Sequence, residues 1–108
     1  MNKHQKIVQQ VFEKNSFEYF HPLSQFARLA EEVGELARIL NHLYGDKPKK
    51  VSEDKQNLQE EIGDVLFTVI CLANSTGVDL DEAVKISIDK LVNRDKIRYS
   101  KKLQILDK

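Results

Sequence analysis

Helical periodicity recurs along almost the whole chain. Apolar residues repeat every three or four positions, as Ile7, Val8, Val11 and Phe12 do near the start. The 108 residues include only 4 glycines and 2 prolines, with no Asn-Gly or Asp-Gly turn and no run of alternating apolar and polar residues. The sequence therefore predicts an all-α fold, a bundle of four to five helices.

Capping and turn residues divide the periodic sequence into four main helices. Gly45 is a natural stop, while Ser52 and Asp79 have the side chains that helix N-caps favour. The predicted helices span residues 2–14, 24–44, 52–75 and 79–98. The length and the 41% apolar content fit one helical domain over residues 1–108.

Composition restricts the partners of the protein. Lys and Arg together number 17, as do Asp and Glu, whereas proteins that bind nucleic acid usually carry a basic excess. The longest apolar-rich run, residues 65–73, is much shorter than the ~20 residues of a membrane helix. The N-terminal residues lack the apolar stretch of a secretory signal. We expect a cytoplasmic protein with no nucleic-acid or membrane partner.

Acidic residues occupy matched positions on the second and third predicted helices. At ~100° per residue, Glu32 falls at the edge of an apolar arc, Glu35 lies next to it, and Glu31 points further toward solvent. On the third helix, Glu61 borders a similar arc and Asp64 lies beside it. The two arcs comprise Phe26, Leu29, Val33, Leu36, Ala37 and Leu40, and Leu58, Ile62, Val65, Leu66, Val69 and Leu72.

Side-by-side packing of these two helices would bring four carboxylates together. Partly buried acids repel one another, and a hard divalent cation with oxygen ligands relieves that repulsion. No His or Cys lies in the cluster, which argues against zinc and softer metals, and the Glu-x-x-His pairs of di-iron bundles are absent. Any one of these acids alone is better explained as a solvated surface charge. The matched pairs favour a metal site.

The same acids resemble a family signature. Glu31, Glu32 and Glu35, followed by Glu61 and Asp64, are similar to the EExxE…ExxD pattern of the MazG-like nucleotide pyrophosphohydrolases. The surrounding sequence is also similar over about residues 20–98, in AEEVGELARIL, LQEEIGDVLFTVICLA and GVDLDEAV. The resemblance implies an all-α fold built on a dimer, Mg²⁺, and hydrolysis of a nucleoside triphosphate to its monophosphate and pyrophosphate.

The resemblance also implies roles for the acids. Glu32, Glu35, Glu61 and Asp64 would bind Mg²⁺, with Mn²⁺ as an alternative, and Glu31 would bind a second metal or orient water. In the mechanism that follows, either Glu31 or Glu35 would accept the proton of the attacking water.

Basic residues on the last predicted helix are candidates for binding the phosphates. Relatives often carry Asn-x-Lys-Phe-x-x-Arg there; Lys90 and Arg94 match its cations, whereas Ile88 replaces the Asn. Arg94 shares a helical face with Ala83 and Leu91, and an inward-facing Arg normally has an anionic partner. That partner is either the pyrophosphate leaving group or the acid cluster itself in a structural salt bridge.

Residues for binding the base are less well defined by the sequence. His21 and Tyr44 are the candidates, and Phe20 and His42 have suitable side chains as well. Packing is the alternative role for each of them. The sequence identifies neither the base nor the sugar.

The third predicted helix is apolar almost all round over residues 65–73, where Phe67 and Cys71 lie opposite the main arc. A helix with two apolar faces must be covered on both, and four helices are too few to do so. We therefore expect homodimerisation to complete the bundle, as a dimer or a dimer of dimers.

Two functions are compatible with these features. The first is a Mg²⁺-dependent nucleoside triphosphate pyrophosphohydrolase, with the removal of non-canonical nucleotides as one physiological role. The second is a non-catalytic helical module that binds a nucleotide or a metal and serves in interaction or regulation. The complete set of acids favours the enzyme, because a scaffold gains nothing evident from four clustered carboxylates.

Overall fold

The computed structural model describes residues 2–45 and 51–106, with side chains described for residues 2–45 and 57–96. It contains four helices, α1 (Lys3–Lys14), α2 (Pro22–Tyr44), α3 (Val51–Thr76) and α4 (Leu80–Leu106), and no strand within the described residues. The predicted all-α class is confirmed, with four helices in the described part of the chain.

The helix ends follow from local hydrogen bonding. Asn2 and Gln5 form a reciprocal capping box at the start of α1. α2 begins at Pro22, before the predicted position 24, because His21 Nδ1 accepts a hydrogen bond from Leu23 N at 3.2 Å. Proline suits this first turn, where no N–H is needed. α3 already includes Ser52, which is therefore not its cap, and α4 continues to residue 106 rather than ending near 98.

α2 and α3 form the main helix pair, and α1 packs on α3. The pair runs antiparallel, because residues near 25 meet residues near 68 while residues near 32 meet residues 61–64. The interface between α2 and α3, called here the seam, repeats at seven-residue spacing, which keeps positions on one helical face. Its members are Gln25, Glu32 and Ile39 on α2 and Glu61 and Thr68 on α3, with Cys71 one turn further.

Each predicted apolar arc is covered only in part within one chain, and its half-buried members are Leu29, Leu36, Leu58, Val65, Val69 and Leu72. Phe26, Val33 and Leu40 on α2 remain exposed, as do Ile62 and Leu66 on α3. The periodicity identified apolar faces, but it cannot say how much of a face is covered within one chain. The most buried seam positions hold the polar Gln25 and Thr68 as well as the apolar Ile39.

A buried polar junction joins α1 to the turn between α3 and α4. The fully buried Gln5 donates from Nε2 to Asn74 Oδ1 (3.0 Å) and Val78 O (2.8 Å), and its Oε1 accepts from Leu80 N (2.9 Å). Gly77 has φ +75°, a left-handed conformation that suits glycine, and Val78 N reaches back to Ala73 O. These contacts end α3 and fix the start of α4.

α4 diverges from the other helices. The axis turns by 110° between Asn57–Thr76 and Leu80–Lys96, so α4 does not run back along α3. Residues 84–96 are all exposed. The prediction that Arg94 points inward with Leu91 is therefore wrong within a single chain. Among the described residues, no helix taken singly has both the length and the apolar character to cross a membrane; only the bent pair just named meets that criterion when joined.

Candidate active site

Three carboxylates from α2 and α3 meet in the seam. Ligand oxygens of Glu32, Glu61 and Asp64 all lie within 4.8 Å of one another. Glu32 and Glu61 are half-buried because each occupies a seam position, seven residues from the buried Gln25 and Thr68 respectively. Asp64 lies one turn beyond Glu61 and is exposed. The antiparallel pairing of the two helices thus gathers acids that are 29 or more residues apart in the sequence.

Two oxygens of this acid cluster have no partner among the described residues. Glu32 Oε2 and Glu61 Oε2 are shut off from solvent and accept no hydrogen bond. A buried polar atom without a partner is unfavourable, and a buried charge more so. Burial raises the pKa of Glu61, and repulsion from the charges of Glu35 and Asp64 raises it further.

The acid cluster therefore fits a divalent cation. The atoms that could bind a metal are all carboxylate oxygens, the ligands that hard cations such as Mg²⁺ prefer. A cation would satisfy the two unpartnered oxygens and remove the repulsion that acts on Glu61. The side chains present are thus complementary to positive charge in both chemistry and electrostatics.

The other two predicted acids differ in position. Glu35 interacts with Glu61 closely enough to raise its pKa through both charge and a side-chain hydrogen bond. Glu31 is exposed on α2, beside Glu32 in the sequence but outside the group of three convergent carboxylates. The structure therefore gathers Glu32, Glu35, Glu61 and Asp64, whereas Glu31 is exposed on α2.

The predicted cations lie elsewhere in the single chain. Lys90 and Arg94 are exposed on α4, and neither forms an ion pair with the acids in the part of the chain whose side chains are described. The cation that does reach the acid cluster is Arg28, whose Nη2 lies 3.8 Å from Glu32 Oε1. Arg28 is one turn before Glu32 on α2, an i,i+4 spacing that the sequence shows but that had not been singled out.

The predicted base-binding residues are also separated from one another. His21 is exposed and caps α2. Tyr44 is exposed at the other end of α2, nine residues after Glu35 and thus ~13 Å further along the helix axis. A single chain does not bring Tyr44 to the acid cluster.

An aromatic pocket of about 610 Å³ adjoins the acid cluster. Phe12 contacts two other aromatic rings of the pocket. Its ring stacks on that of Tyr19, with centroids 4.3 Å apart, and packs edge to face against that of Phe17, with centroids 5.8 Å apart. The Tyr19 hydroxyl is held by Gln9 (2.8 Å) and Asn74 (3.0 Å). The pocket is lined by Phe12, Ser16, Phe17, Glu18, Tyr19, Phe20, Gln25, Arg28, Phe67, Thr68 and Cys71.

Two residues connect this pocket with the acid cluster. Arg28 lines the pocket and pairs with Glu32. Thr68 also lines the pocket, one turn after Asp64 on α3, and its hydroxyl donates to the backbone carbonyl oxygen of Asp64 at 2.9 Å. The pocket and the acids are therefore about one helical turn apart along α2 and α3. A volume of this size is in the usual range for a small-molecule site.

Cys71 lies at the buried wall of this pocket and is not activated. Burial raises the pKa of its thiol, and the positive charge of Arg28 offsets this only partly. This agrees with a buried, small apolar role rather than that of a nucleophile.

The chain matches proteins of one enzyme family in sequence and in fold. Residues 20–99 match the MazG nucleotide pyrophosphohydrolase domain. The protein YpjD of Bacillus subtilis (strain 168) is 55% identical over 84 residues, 78% of this chain and 76% of YpjD. The YpjD crystal structure has a TM-score of 0.72 and 46% identity, covering 84% of this chain and 91% of that chain.

Two further relatives extend the match. The crystal structure of the Bacillus-conserved MazG protein, a nucleotide pyrophosphohydrolase, has a TM-score of 0.65 and 41% identity, covering 83% of this chain and 90% of that chain. The dCTP pyrophosphatase 1 of Bos taurus is 30% identical over 92 residues, 82% of this chain and 54% of that protein. The chain therefore belongs to the MazG family and is a nucleotide pyrophosphohydrolase, a hydrolase that acts on acid anhydrides.

Proposed function

We propose that the protein is a Mg²⁺-dependent hydrolase that converts a ribo- or deoxyribonucleoside triphosphate to its monophosphate and pyrophosphate. The observation that carries this proposal is the acid cluster with two buried, unpartnered carboxylate oxygens at the border of an aromatic pocket. The acids suit a metal that binds phosphate, and the aromatic walls suit a planar base. The relative named dCTP pyrophosphatase 1 supports a nucleoside triphosphate as substrate.

Four carboxylates would hold the metal. Glu32, Glu61 and Asp64 converge, and Glu35 adjoins Glu61. Bound there, Mg²⁺ (or Mn²⁺ as an alternative) would neutralise the phosphates and lower the pKa of water. We propose that a carboxylate not fully used as a ligand, Glu31 or Glu35, accepts the proton of the attacking water, because neither belongs to the convergent group of three.

Lys90 and Arg94 are proposed to bind the phosphates and to stabilise charge on the pyrophosphate leaving group. Because both are exposed on the diverging α4, this role requires a second copy of the chain that brings α4 to the acids. His21 is proposed to contact the base, because it lines a neighbouring cavity that shares Phe12 and Phe20 with the aromatic pocket. Tyr44 would need the same second copy to take part in binding.

A homodimer, or a dimer of dimers, is part of the proposal. The radius of gyration is 18.9 Å, whereas a compact chain of this length has about 13 Å. The accessible surface is 8856 Å², whereas a folded monomer of 12.5 kDa has about 6,200 Å². The excess surface and the exposed apolar arcs of α2 and α3 are what a second copy would cover.

The physiological setting is proposed on composition and on the site alone. We propose a cytoplasmic enzyme that acts on free nucleotides; the balanced charge favours a small-molecule substrate over nucleic-acid polymers. The whole chain, residues 1–108, is proposed to be a single domain. Removal of non-canonical nucleotides is the role we propose, and a panel of canonical and modified triphosphates tests it through the relative kcat/KM values.

Pyrophosphate release from purified protein is the direct test of the activity. We expect release that requires Mg²⁺ or Mn²⁺, and its loss in Glu35→Gln and Asp64→Asn with an unchanged circular dichroism spectrum. Tight binding of nucleotide without product would contradict the proposal and favour a non-catalytic binding module.

A further inference from the structure

The connection between α1 and α2, residues 15–21, forms one side of the aromatic pocket and is called here the aromatic wall. It also lines a neighbouring cavity of about 530 Å³, and Phe17 and Phe20 are 58% and 66% exposed. A segment that borders two cavities has few packing contacts to fix its position. Hydrogen bonds hold its two ends, from Phe17 N to Phe12 O (2.8 Å) and from Gln25 Nε2 to Phe20 O (2.9 Å). Its middle needs a further support.

Tyr19 supplies that support. Of residues 15–21, all of which lie in the described part of the chain, Tyr19 alone is not exposed. Its ring stacks on Phe12 and lines the pocket. Its hydroxyl donates to Gln9 Oε1 at 2.8 Å and accepts from Asn74 Nδ2 at 3.0 Å. The side chain of Tyr19 therefore ties the middle of the aromatic wall to α1 and to the end of α3.

Asn74 is itself held in one orientation. Its Oδ1 accepts from Gln5 Nε2 at 3.0 Å, and its Nδ2 donates to Gln5 O at 3.0 Å as well as to Tyr19. The reversed amide would place an oxygen against the carbonyl oxygen of Gln5, so the hydrogen bonds fix which atom faces Tyr19. Because Gln5 is fully buried, Asn74 links the aromatic wall to the most buried polar group of the fold.

Asn74 is remote from the acid cluster. It follows Asp64 by ten residues on α3, which is ~15 Å along the helix axis, and it is not among the residues that line the aromatic pocket. Any effect of Asn74 on a ligand in the pocket must therefore pass through Tyr19.

We propose that Asn74 is a positioning residue, which holds the Tyr19 ring and with it the aromatic wall in the orientation that stacks on the nucleotide base. This inference rests on the proposed function, because the ligand of the pocket is taken to be that base. Without the bond from Asn74, the wall would adopt the binding orientation for only part of the time. The affinity for the nucleotide would fall by the same fraction.

Tyr19→Phe tests this role, because it keeps the ring but removes the hydroxyl that Asn74 holds. We expect KM for the four canonical deoxynucleoside triphosphates to rise about fivefold, the population cost of losing one typical hydrogen bond, with kcat nearly unchanged. Asn74→Ala should raise KM to a similar extent. The double variant should be no worse than Asn74→Ala alone, because both changes break the same bond.

Thr76→Ala is the matched control. It removes a hydroxyl near the same end of α3 that bonds only within its own helix, and it should leave KM unchanged. The rise in melting temperature on adding Mg²⁺ should persist in Tyr19→Phe and Asn74→Ala, because both positions are remote from the acids. An unchanged KM in Tyr19→Phe would show that the bond is merely structural. Loss of kcat together with the Mg²⁺-dependent rise would also overturn the proposal, since the effect would then pass through the metal site.

A binding measurement separates this inference from the proposed function. Calorimetry with the four canonical deoxynucleoside monophosphates reports binding without turnover, and we expect about fivefold weaker binding to Tyr19→Phe than to the unmodified protein. Equal affinity of the two proteins, or no binding of any monophosphate, would overturn the positioning role and leave the hydrolase activity to its own test. If no triphosphate is hydrolysed, the proposed function fails, while weaker binding to Tyr19→Phe would still support the role of Asn74.

Discussion

At the scale of single residues, the half-buried acids Glu32 and Glu61 have the least favourable surroundings in the seam. Each has a buried oxygen without a donor, and Glu61 also has Glu35, Asp64 and Glu32 around it. Neutral side chains at these positions would make the metal-free fold more stable, since partly buried like charges oppose folding. Acids that weaken the metal-free fold but suit a cation are typical of a functional site.

Glu61→Gln should separate these two effects. The neutral amide removes repulsion, so the melting temperature without metal should equal or exceed that of the unmodified protein. The same change removes a metal ligand, so the rise in melting temperature on adding Mg²⁺ should disappear and activity should fall at least about 100-fold. Thermal denaturation with EDTA and with Mg²⁺, together with pyrophosphate release, measures both effects.

The control for this substitution is Glu60→Gln, which changes an exposed acid on the same helix. It should retain the Mg²⁺-dependent rise in melting temperature. Loss of stability in metal-free Glu61→Gln, with full activity, would contradict the assignment of Glu61 to the metal site.

At the scale of the helices, the sequence predicted the elements better than their faces. Caps and stops such as Gly77 are local, because a left-handed residue ends a helix whatever surrounds it. The acids at i,i+3 spacing were also visible, and α2 and α3 do bring them together. The seam itself was not predicted, because its members Gln25 and Thr68 count as polar in any hydrophobic pattern. Which face of a helix is covered depends on tertiary contacts.

Most of the aromatic pocket was not predicted, although Phe20, one of the residues considered for the base, does line it. Phe12 is on α1, Phe17 and Tyr19 are in the connection to α2, and Phe67 is on α3. Nothing in their spacing indicates that they meet, because the packing of α1 on α3 brings them together. The seven-residue spacing of Gln25 from Glu32, and of Thr68 from Glu61, was the available signal for the polar part of the pocket.

The buried junction at Gln5 should control the stability of this helix arrangement. Gln5→Ala leaves Asn74 Oδ1, Val78 O and Leu80 N without their partner, and unsatisfied buried groups cost about 1–3 kcal/mol each. We expect a loss of about 3 kcal/mol in the free energy of unfolding.

Urea denaturation at one fixed protein concentration measures this loss, because self-association makes stability depend on concentration. Gln10→Ala, on the exposed side of α1, is the matched control and should change the free energy of unfolding little. Equal stability of Gln5→Ala and the control would show that the junction does not hold α1 against the start of α4.

At the scale of the whole molecule, one chain supplies the acids and the pocket but leaves much of its apolar surface exposed. Ile62 and Leu66 on α3 and Phe26 and Val33 on α2 are exposed. In a single chain, Lys90 and Arg94 are exposed on the diverging α4 and form no ion pair with the acids among the described side chains. Both features are explained if a second copy covers the arcs and brings α4 to the phosphates.

Leu66→Glu should therefore weaken self-association, because it places a charge in the apolar surface that a second copy would bury. Sedimentation velocity should show a shift from dimer or tetramer toward monomer, with a parallel loss of activity. Asn57→Glu adds the same charge at an exposed position on the opposite side of α3 from Leu66 and should leave the assembly unchanged. A monomer in the unmodified protein at micromolar concentration would contradict the proposal that homodimerisation completes the bundle.

The proposed function depends on one cation held between the seam acids of α2 and α3. A crystal grown with Mn²⁺ tests it most directly, because anomalous scattering locates the ion independently of the protein atoms. We predict one or more anomalous peaks in direct contact with carboxylate oxygens of Glu32, Glu61 and Asp64, at about 2.1–2.2 Å. No peak at the acid cluster, in crystals of protein that still hydrolyses triphosphates with Mn²⁺, would contradict the account.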